Sequence, residues 1–145
     1  MAAVRRTKAI EASWRLHRWL FRVSGGRVGT RFQGMPIVLL TTTGRKSGEP
    51  RSVTIPFITD GDAFVCVGSN AGHTADPDWV RNLRANPSAT LFRKGERFAV
   101  TGHEAEGAER ERLWARAVET DPAYAEYARR VTSRRIPVMV LERSD

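Results

Sequence analysis

One cysteine in 145 residues excludes an internal disulfide framework, and Cys66 sits in the apolar run Ala63-Phe-Val-Cys-Val67, where a small core residue belongs. Three histidines, His17, His73 and His103, are too scattered to spell a zinc motif. No apolar run reaches the roughly 18 residues that a spanning helix needs, and no secretory hydrophobic region opens the chain. There is no Gly-x-x-x-x-Gly-Lys-Ser/Thr phosphate loop and no Gly-x-Ser-x-Gly elbow. These absences point to one soluble domain in a reducing cytosol. If the domain is an enzyme, a cofactor carries the reactive chemistry and the protein supplies position and electrostatics.

Acidic residues are scarce in one place. Residues 1–31 hold eight Lys and Arg against Glu11 alone, a net charge of +7, whereas the remaining residues are almost neutral at +1. A nucleic-acid binder more often spreads its positive footprint over the folded domain, so the distribution argues against that class. With Trp14, Trp19, Leu20 and Phe21 among the arginines, the segment has the makeup of an interfacial helix that would meet an anionic membrane surface. The competing reading is that the tryptophans cover one end of the domain and the arginines only solvate the helix. The chain thus divides into a basic amphipathic segment at 1–30 and a domain at 31–145. Its expected location is the cytoplasm, with peripheral contact at the inner face of the cell membrane as the further expectation.

The patterning predicts a helix over 8–23, stopped by Ser24-Gly25-Gly26, and strands over 36–43 and 52–59. Asp60-Gly61-Asp62 turns into a strand over 63–68. Asp76 reads as an N-cap with Pro77 at the first helical position, opening a short helix to Ala85 that Asn86-Pro87 ends. Strands follow at 88–93 and 96–104, helices at 107–120 and 122–131, and a last strand at 136–141. Six mostly antiparallel strands with peripheral helices indicate a small closed or split β-barrel, an α+β arrangement. An open parallel sheet would need helices between the first three strands, and none is there.

The strongest chemical signal is the turn Gly44-Arg-Lys-Ser-Gly-Glu-Pro-Arg51. A hairpin turn uses Gly, Asn or Asp; it has no need of Arg45, Lys46 and Arg51. Small residues let backbone N–H groups converge into an anion-binding concavity, and three cations supply charge. From spacing alone, an anion site and a solvated basic turn that blunts a strand edge both stand. Ser69-Asn70-Ala71-Gly72 is a second small-residue loop leaving a strand end, and two such loops at one end of a barrel can grip one extended anion. The helix from Pro77 adds amide donors at its N-terminus. Trp79 fits a core position better than a ligand stack, and Tyr124 and Tyr127 share one helical face that would cap a pocket or pack.

These residues also carry a resemblance. Gly25-Gly-Arg-Val-Gly29, Pro36-Ile-Val-Leu-Leu-Thr-Thr-Thr-Gly-Arg-Lys-Ser-Gly-Glu-Pro-Arg51, Asp76-Pro-Asp-Trp79, Asn82-Leu-Arg-Ala-Asn-Pro87, Tyr124-Ala-Glu-Tyr127 and Ile136-Pro-Val-Met-Val140 resemble the deazaflavin-dependent nitroreductase family of actinobacteria, of the quinone reductase type. The resemblance runs from about residue 14 to 142. It implies a split β-barrel that binds coenzyme F420, a deazaflavin with a phosphodiester and an oligoglutamate tail. It also implies hydride transfer from the reduced coenzyme to quinone-like or other conjugated acceptors, nitroaromatics among them. Matched residue by residue, Arg45, Lys46 and Arg51, with the Ser47 and Gly48 amides, would hold phosphate and carboxylates. Ser69 and Asn70 would lie near the deazaflavin ring, with Trp79 and Asn82 on the short helix. Tyr124 and Tyr127 would face the acceptor, where with Ser69 they would hydrogen-bond its oxygen. The chain departs from some family members at Asn70, Ala71 and Asp121, where Lys, Gly and Tyr occur. Alternative readings are a flavin mononucleotide oxidase or reductase on the same kind of barrel, and a protein that binds the deazaflavin without turnover.

Overall fold

A computed structural model describes residues 31–32 and 35–144. The expected helix at 8–23 and the whole basic segment 1–30, with its expected membrane contact, lie outside them. The described elements are β1 (Arg31–Phe32), β2 (Met35–Thr43), β3 (Pro50–Pro56), β4 (Ile58–Asp60), β5 (Ala63–Val67), a 3-10 turn (Asn70–Gly72), α1 (Asp78–Ala85), β6 (Ser88–Arg93), β7 (Glu96–Glu104), α2 (Gly107–Thr120), α3 (Ala123–Arg130) and β8 (Val138–Arg143).

All described strand pairs are antiparallel, and the sheet runs β4-β5-β8-β7-β6-β2 with β3 on the other side of β2. β3 and β4 are consecutive in the chain yet end up at opposite ends of that path. The sheet therefore curls until its two edges meet around Pro56 and Phe57, which is the closure of a split barrel. The sequence reads 52–59 as one strand; the structure breaks it at Phe57, whose N–H leaves the ladder and donates to the Pro36 carbonyl at 3.1 Å. That break, together with the two-residue β1, gives eight described strands where the sequence suggests about six.

β2 pairs along both of its edges and is buried on both faces by the side chains packed there. Val38 and Leu40 enter the barrel core with Ile55, Phe57, Cys66, Leu91, Val100, Met139 and Leu141, whereas Ile37 and Leu39 point the other way, towards Phe92. α1 plugs the interior with Trp79, Val80 and Leu83. On the outside, Leu113 of α2 packs on Val65, Val138 and Val140, and Ala117 joins Tyr124 of α3 and Met35. The fold is thus the α+β split barrel, one of the two barrels that the strand order left open and the one that the resemblance implied.

α1 begins one residue later than its sequence suggests. Pro77 takes the cap position with an extended backbone, and Asp78 opens the helix. Asp76 makes no cap bond because its carboxylate is drawn to two arginines, Arg84 at 2.6 Å and Arg134 at 2.7 Å. Two charge-assisted contacts outweigh one capping hydrogen bond.

Candidate functional site

Where the β2–β3 turn approaches α1, a cleft of about 390 Å³ opens. Among the described residues it is lined by Arg45, Lys46, Ser47 and Arg51 from the turn and by Asp78, Trp79 and Asn82 from α1. Thr42, Gly44, Ser52, Val53 and Pro77 complete it. Its volume lies in the usual range for small-molecule sites, roughly 300–1,000 Å³.

The turn is built by its glycines and its serine. Gly44 N–H donates to the Glu49 carbonyl at 2.8 Å, and Gly48 N–H donates to the Gly44 carbonyl at 2.8 Å. Gly48 has φ +72°, in the left-handed region where a side chain is strained. At Gly44 the constraint is space: an added Cβ would come within 2.7 Å of Ser47 Oγ and 3.1 Å of the Glu49 carbonyl. Ser47 Oγ accepts from Glu49 N–H at 3.1 Å and from Arg51 Nη2 at 3.3 Å, so it aims one guanidinium. The Gly48 amide, expected to face an anion, is committed within the turn.

Asn82 anchors the turn to the helix. Its side chain is 3% exposed, and its Oδ1 accepts from the Arg45 backbone N–H at 3.2 Å and from Arg45 Nη1 at 3.0 Å. Its Nδ2 donates to Thr42 Oγ1 at 3.1 Å. One helical turn earlier on the same face, Asp78 Oδ1 accepts from Arg45 Nη2 at 3.3 Å. Arg45 is therefore held by two α1 residues, while Lys46 and Arg51 are exposed. Trp79 is 8% exposed and belongs to the barrel core while also lining the cleft.

The other expected site residues sit elsewhere. Ser69 and Asn70 lie at the 3-10 turn, where Asn70 Nδ2 donates to the Ala75 carbonyl at 3.0 Å, and neither lines the cleft. Tyr124 is buried with Met35 and Ala117; its hydroxyl reaches Met35 Sδ at 3.9 Å, and burial pushes the phenol's pKa above the usual tyrosine range. Tyr127, half-buried, meets Tyr124 edge-on at 6.5 Å and comes within 3.3 Å of where a Gly72 Cβ would be. The two tyrosines and the Ser69–Gly72 loop thus form a neighbourhood of their own beside α3.

Sequence reasoning missed Thr42, Asp78 and Arg134. Asp78 could have been found four residues before Asn82, on the same helical face. Arg134 gives no local sign, since its partners lie 58 to 66 residues away.

Three cations and hydroxyls on a hydrogen-bonded glycine turn beside a helix N-terminus suit a ligand bearing phosphate and carboxylate groups. The comparisons agree with that chemistry. Residues 13–143 match the family model for F420H(2)-dependent quinone reductase. The chain is 40% identical over 136 residues to an F420H(2)-dependent quinone reductase of Mycobacterium tuberculosis, covering 89% of each. A solved F420-H2 dependent reductase is 41% identical with a TM-score of 0.67, over 74% of this chain and 94% of that one. A structure described as a domain-swapped dimer is 34% identical with a TM-score of 0.70, over 91% and 99%. With a family match across nearly the whole chain and a basic cleft in a split barrel, this chain belongs to the F420H(2)-dependent quinone reductases, oxidoreductases whose coenzyme is reduced F420.

Proposed function

We propose that this protein oxidises reduced coenzyme F420 and passes the hydride to a quinone-like or other conjugated acceptor, nitroaromatics included. The observation that carries the reading is the cleft where Arg45, Lys46 and Arg51 converge beside α1. When bound, the reduced deazaflavin supplies the hydride. Lys46 and Arg51 give exposed positive charge for the phosphodiester and the oligoglutamate carboxylates, and Arg45, braced by Asn82, gives a half-buried one. Ser47 keeps Arg51 pointed along the turn. Trp79 forms an apolar wall that excludes water on one side.

Ser69, Asn70, Tyr124 and Tyr127 are assigned to the ring and acceptor end. Tyr124 is a neutral phenol at neutral pH, and burial raises its pKa further, so its O–H is held available to donate to an acceptor oxygen gathering negative charge. Purified protein, reduced F420 and a panel of quinones, nitroaromatics and enones test the reading by coenzyme reoxidation. Turnover with quinones is expected. Tight coenzyme binding with no reoxidation across the panel would leave a binding protein instead, and tight flavin mononucleotide binding without F420 binding would favour the flavin reading.

The charge of +7 on residues 1–31 supports a second element, docking of the N-terminal segment on anionic membrane next to a lipid-soluble acceptor. No helix among the described residues is long and apolar enough to cross a membrane. Co-sedimentation with anionic vesicles that salt weakens, and that removal of residues 1–22 abolishes without unfolding the domain, is the expected result.

A further inference from the structure

Among the described residues that line the cleft, Asp78 is the one carboxylate, facing Arg45, Lys46 and Arg51. It opens α1, its side chain is 78% exposed, and its bond to Arg45 Nη2 is 3.3 Å, whereas the Arg45 side chain is 20% exposed. Arg45 does not depend on it for its position. The two bonds to Asn82 Oδ1, from the backbone N–H at 3.2 Å and from Nη1 at 3.0 Å, hold both ends of the residue to a buried neutral group. Releasing Asp78 therefore frees one guanidinium nitrogen without releasing the guanidinium.

The contrast with Asp76, two residues earlier, sharpens the point. Asp76 is 18% exposed and grips Arg84 at 2.6 Å and Arg134 at 2.7 Å, which makes it a structural carboxylate. Asp78, itself facing solvent, has one long contact among the described residues, to Arg45 at the wall of an anion cleft.

We propose that Asp78 is a built-in counter-anion of this cleft. Its carboxylate occupies Arg45 Nη2 until a phosphate or carboxylate group of the ligand takes that place, so Asp78 sets the affinity and selectivity of the cleft for anionic ligands. The inference rests on the coenzyme reading of the same cleft. An entering anion must either displace Asp78 from Arg45 or accept a like charge beside it, and both weaken binding. The residue excludes small abundant anions, which gain too little to compete, and admits a ligand with several anionic groups that also reaches Lys46 and Arg51.

The test compares wild type, Asp78→Asn and Glu96→Gln by calorimetric titration with inorganic pyrophosphate and with F420, at two salt concentrations. Asn preserves shape at the helix start, and Glu96, paired with Arg143 at 3.0 Å and absent from the cleft, controls for the change in net charge. Asp78→Asn should bind pyrophosphate roughly threefold to tenfold tighter than wild type, with a steeper loss in salt, and Glu96→Gln should bind as wild type does. Unchanged or weaker binding in Asp78→Asn overturns the proposal. Equal tightening in both variants, or no pyrophosphate binding by any of the three proteins, overturns it as well. If wild type fails to bind F420 while Asp78→Asn still tightens pyrophosphate, the coenzyme reading falls and the role of Asp78 stands.

Discussion

Arg134 donates twice to the carbonyl of His73, from Nε at 3.2 Å and from Nη2 at 2.9 Å, across 61 residues of chain. The same guanidinium donates to the carbonyls of Gly68 at 3.1 Å and Ser69 at 2.9 Å, and to Asp76 at 2.7 Å. One side chain thus bonds three carbonyls of a loop that pairs with no strand among the described residues, and ties that loop to the residue preceding Pro77 and α1. The Ser69–His73 loop and the helix that bears Asp78 and Asn82 share one support.

Arg134→Lys is expected to destabilise the protein by roughly 1–3 kcal/mol, because an ammonium cannot fork to three carbonyls and a carboxylate, and the part-buried carbonyls of Gly68 and His73 lose a charged donor. Urea unfolding measures the loss. Hydrogen exchange should show the amides of 69–75 opening before those of the barrel strands. Wild-type protection of that loop in the variant would refute the clamp.

The same loop stores strain that a substitution can release. Asn70 and Ala71 have φ of 49° and 53°, and alanine pays for that region without the side-chain hydrogen bond that Asn70 makes to Ala75. Ala71→Gly is expected to raise stability by about 1 kcal/mol in thermal or urea unfolding. Gly72→Ala should do the reverse, since Gly72 has φ +80° and its Cβ would sit 3.3 Å from the Tyr127 ring. A neutral Ala71→Gly would mean that the unfolded chain gains as much entropy as the loop gains relief.

How far the sequence reveals this molecule depends on whether a partner is near in the chain. The Gly44–Arg51 turn is legible because glycines punctuate two β-branched runs, and the helix over 78–85 because Asn86-Pro87 ends it. The break at Phe57 is marked in the sequence only by Pro56, which an edge strand also tolerates, while the pairing passes from β2 to β5. Asp76 obeys a local capping rule on paper; Arg84 and Arg134 override it in space. At the site, the cations are legible as charge without purpose in a turn. Asn82's grip on Arg45 spans 37 residues, and only the closed barrel brings the two together.

Tyr124 is buried and Tyr127 half-buried, so loss of the ring should cost more at Tyr124. Among the described residues the Tyr124 hydroxyl has only Met35 Sδ at 3.9 Å, a weak partner, so Tyr124→Phe should shift stability by less than about 1 kcal/mol. Tyr124→Ala would empty a buried site and cost roughly 3–5 kcal/mol. If both hydroxyls serve the acceptor, each Phe variant keeps coenzyme affinity and lowers turnover. Unchanged turnover in Tyr124→Phe would assign that residue to packing alone.

Lys46→Ala and Arg45→Ala should separate charge from architecture. Lys46 is exposed, so its removal should leave the unfolding midpoint unchanged and weaken F420 binding about tenfold, the scale of one charge-assisted hydrogen bond. Arg45 is different. Its side chain bonds Asn82 Oδ1 at 3.0 Å and Asp78 at 3.3 Å, so Arg45→Ala also removes a brace between the turn and α1. That variant should lose coenzyme affinity and roughly 1–2 kcal/mol of stability together, the backbone bond to Asn82 limiting the damage. Salt adds a discriminating readout: each lost cation reduces the number of charges the ligand senses, so the salt dependence of binding should flatten in both variants. Fluorescence titration of F420 across salt concentrations, beside urea unfolding, measures both quantities. Wild-type affinity in both variants would remove the anion site, whatever the unfolding curves show.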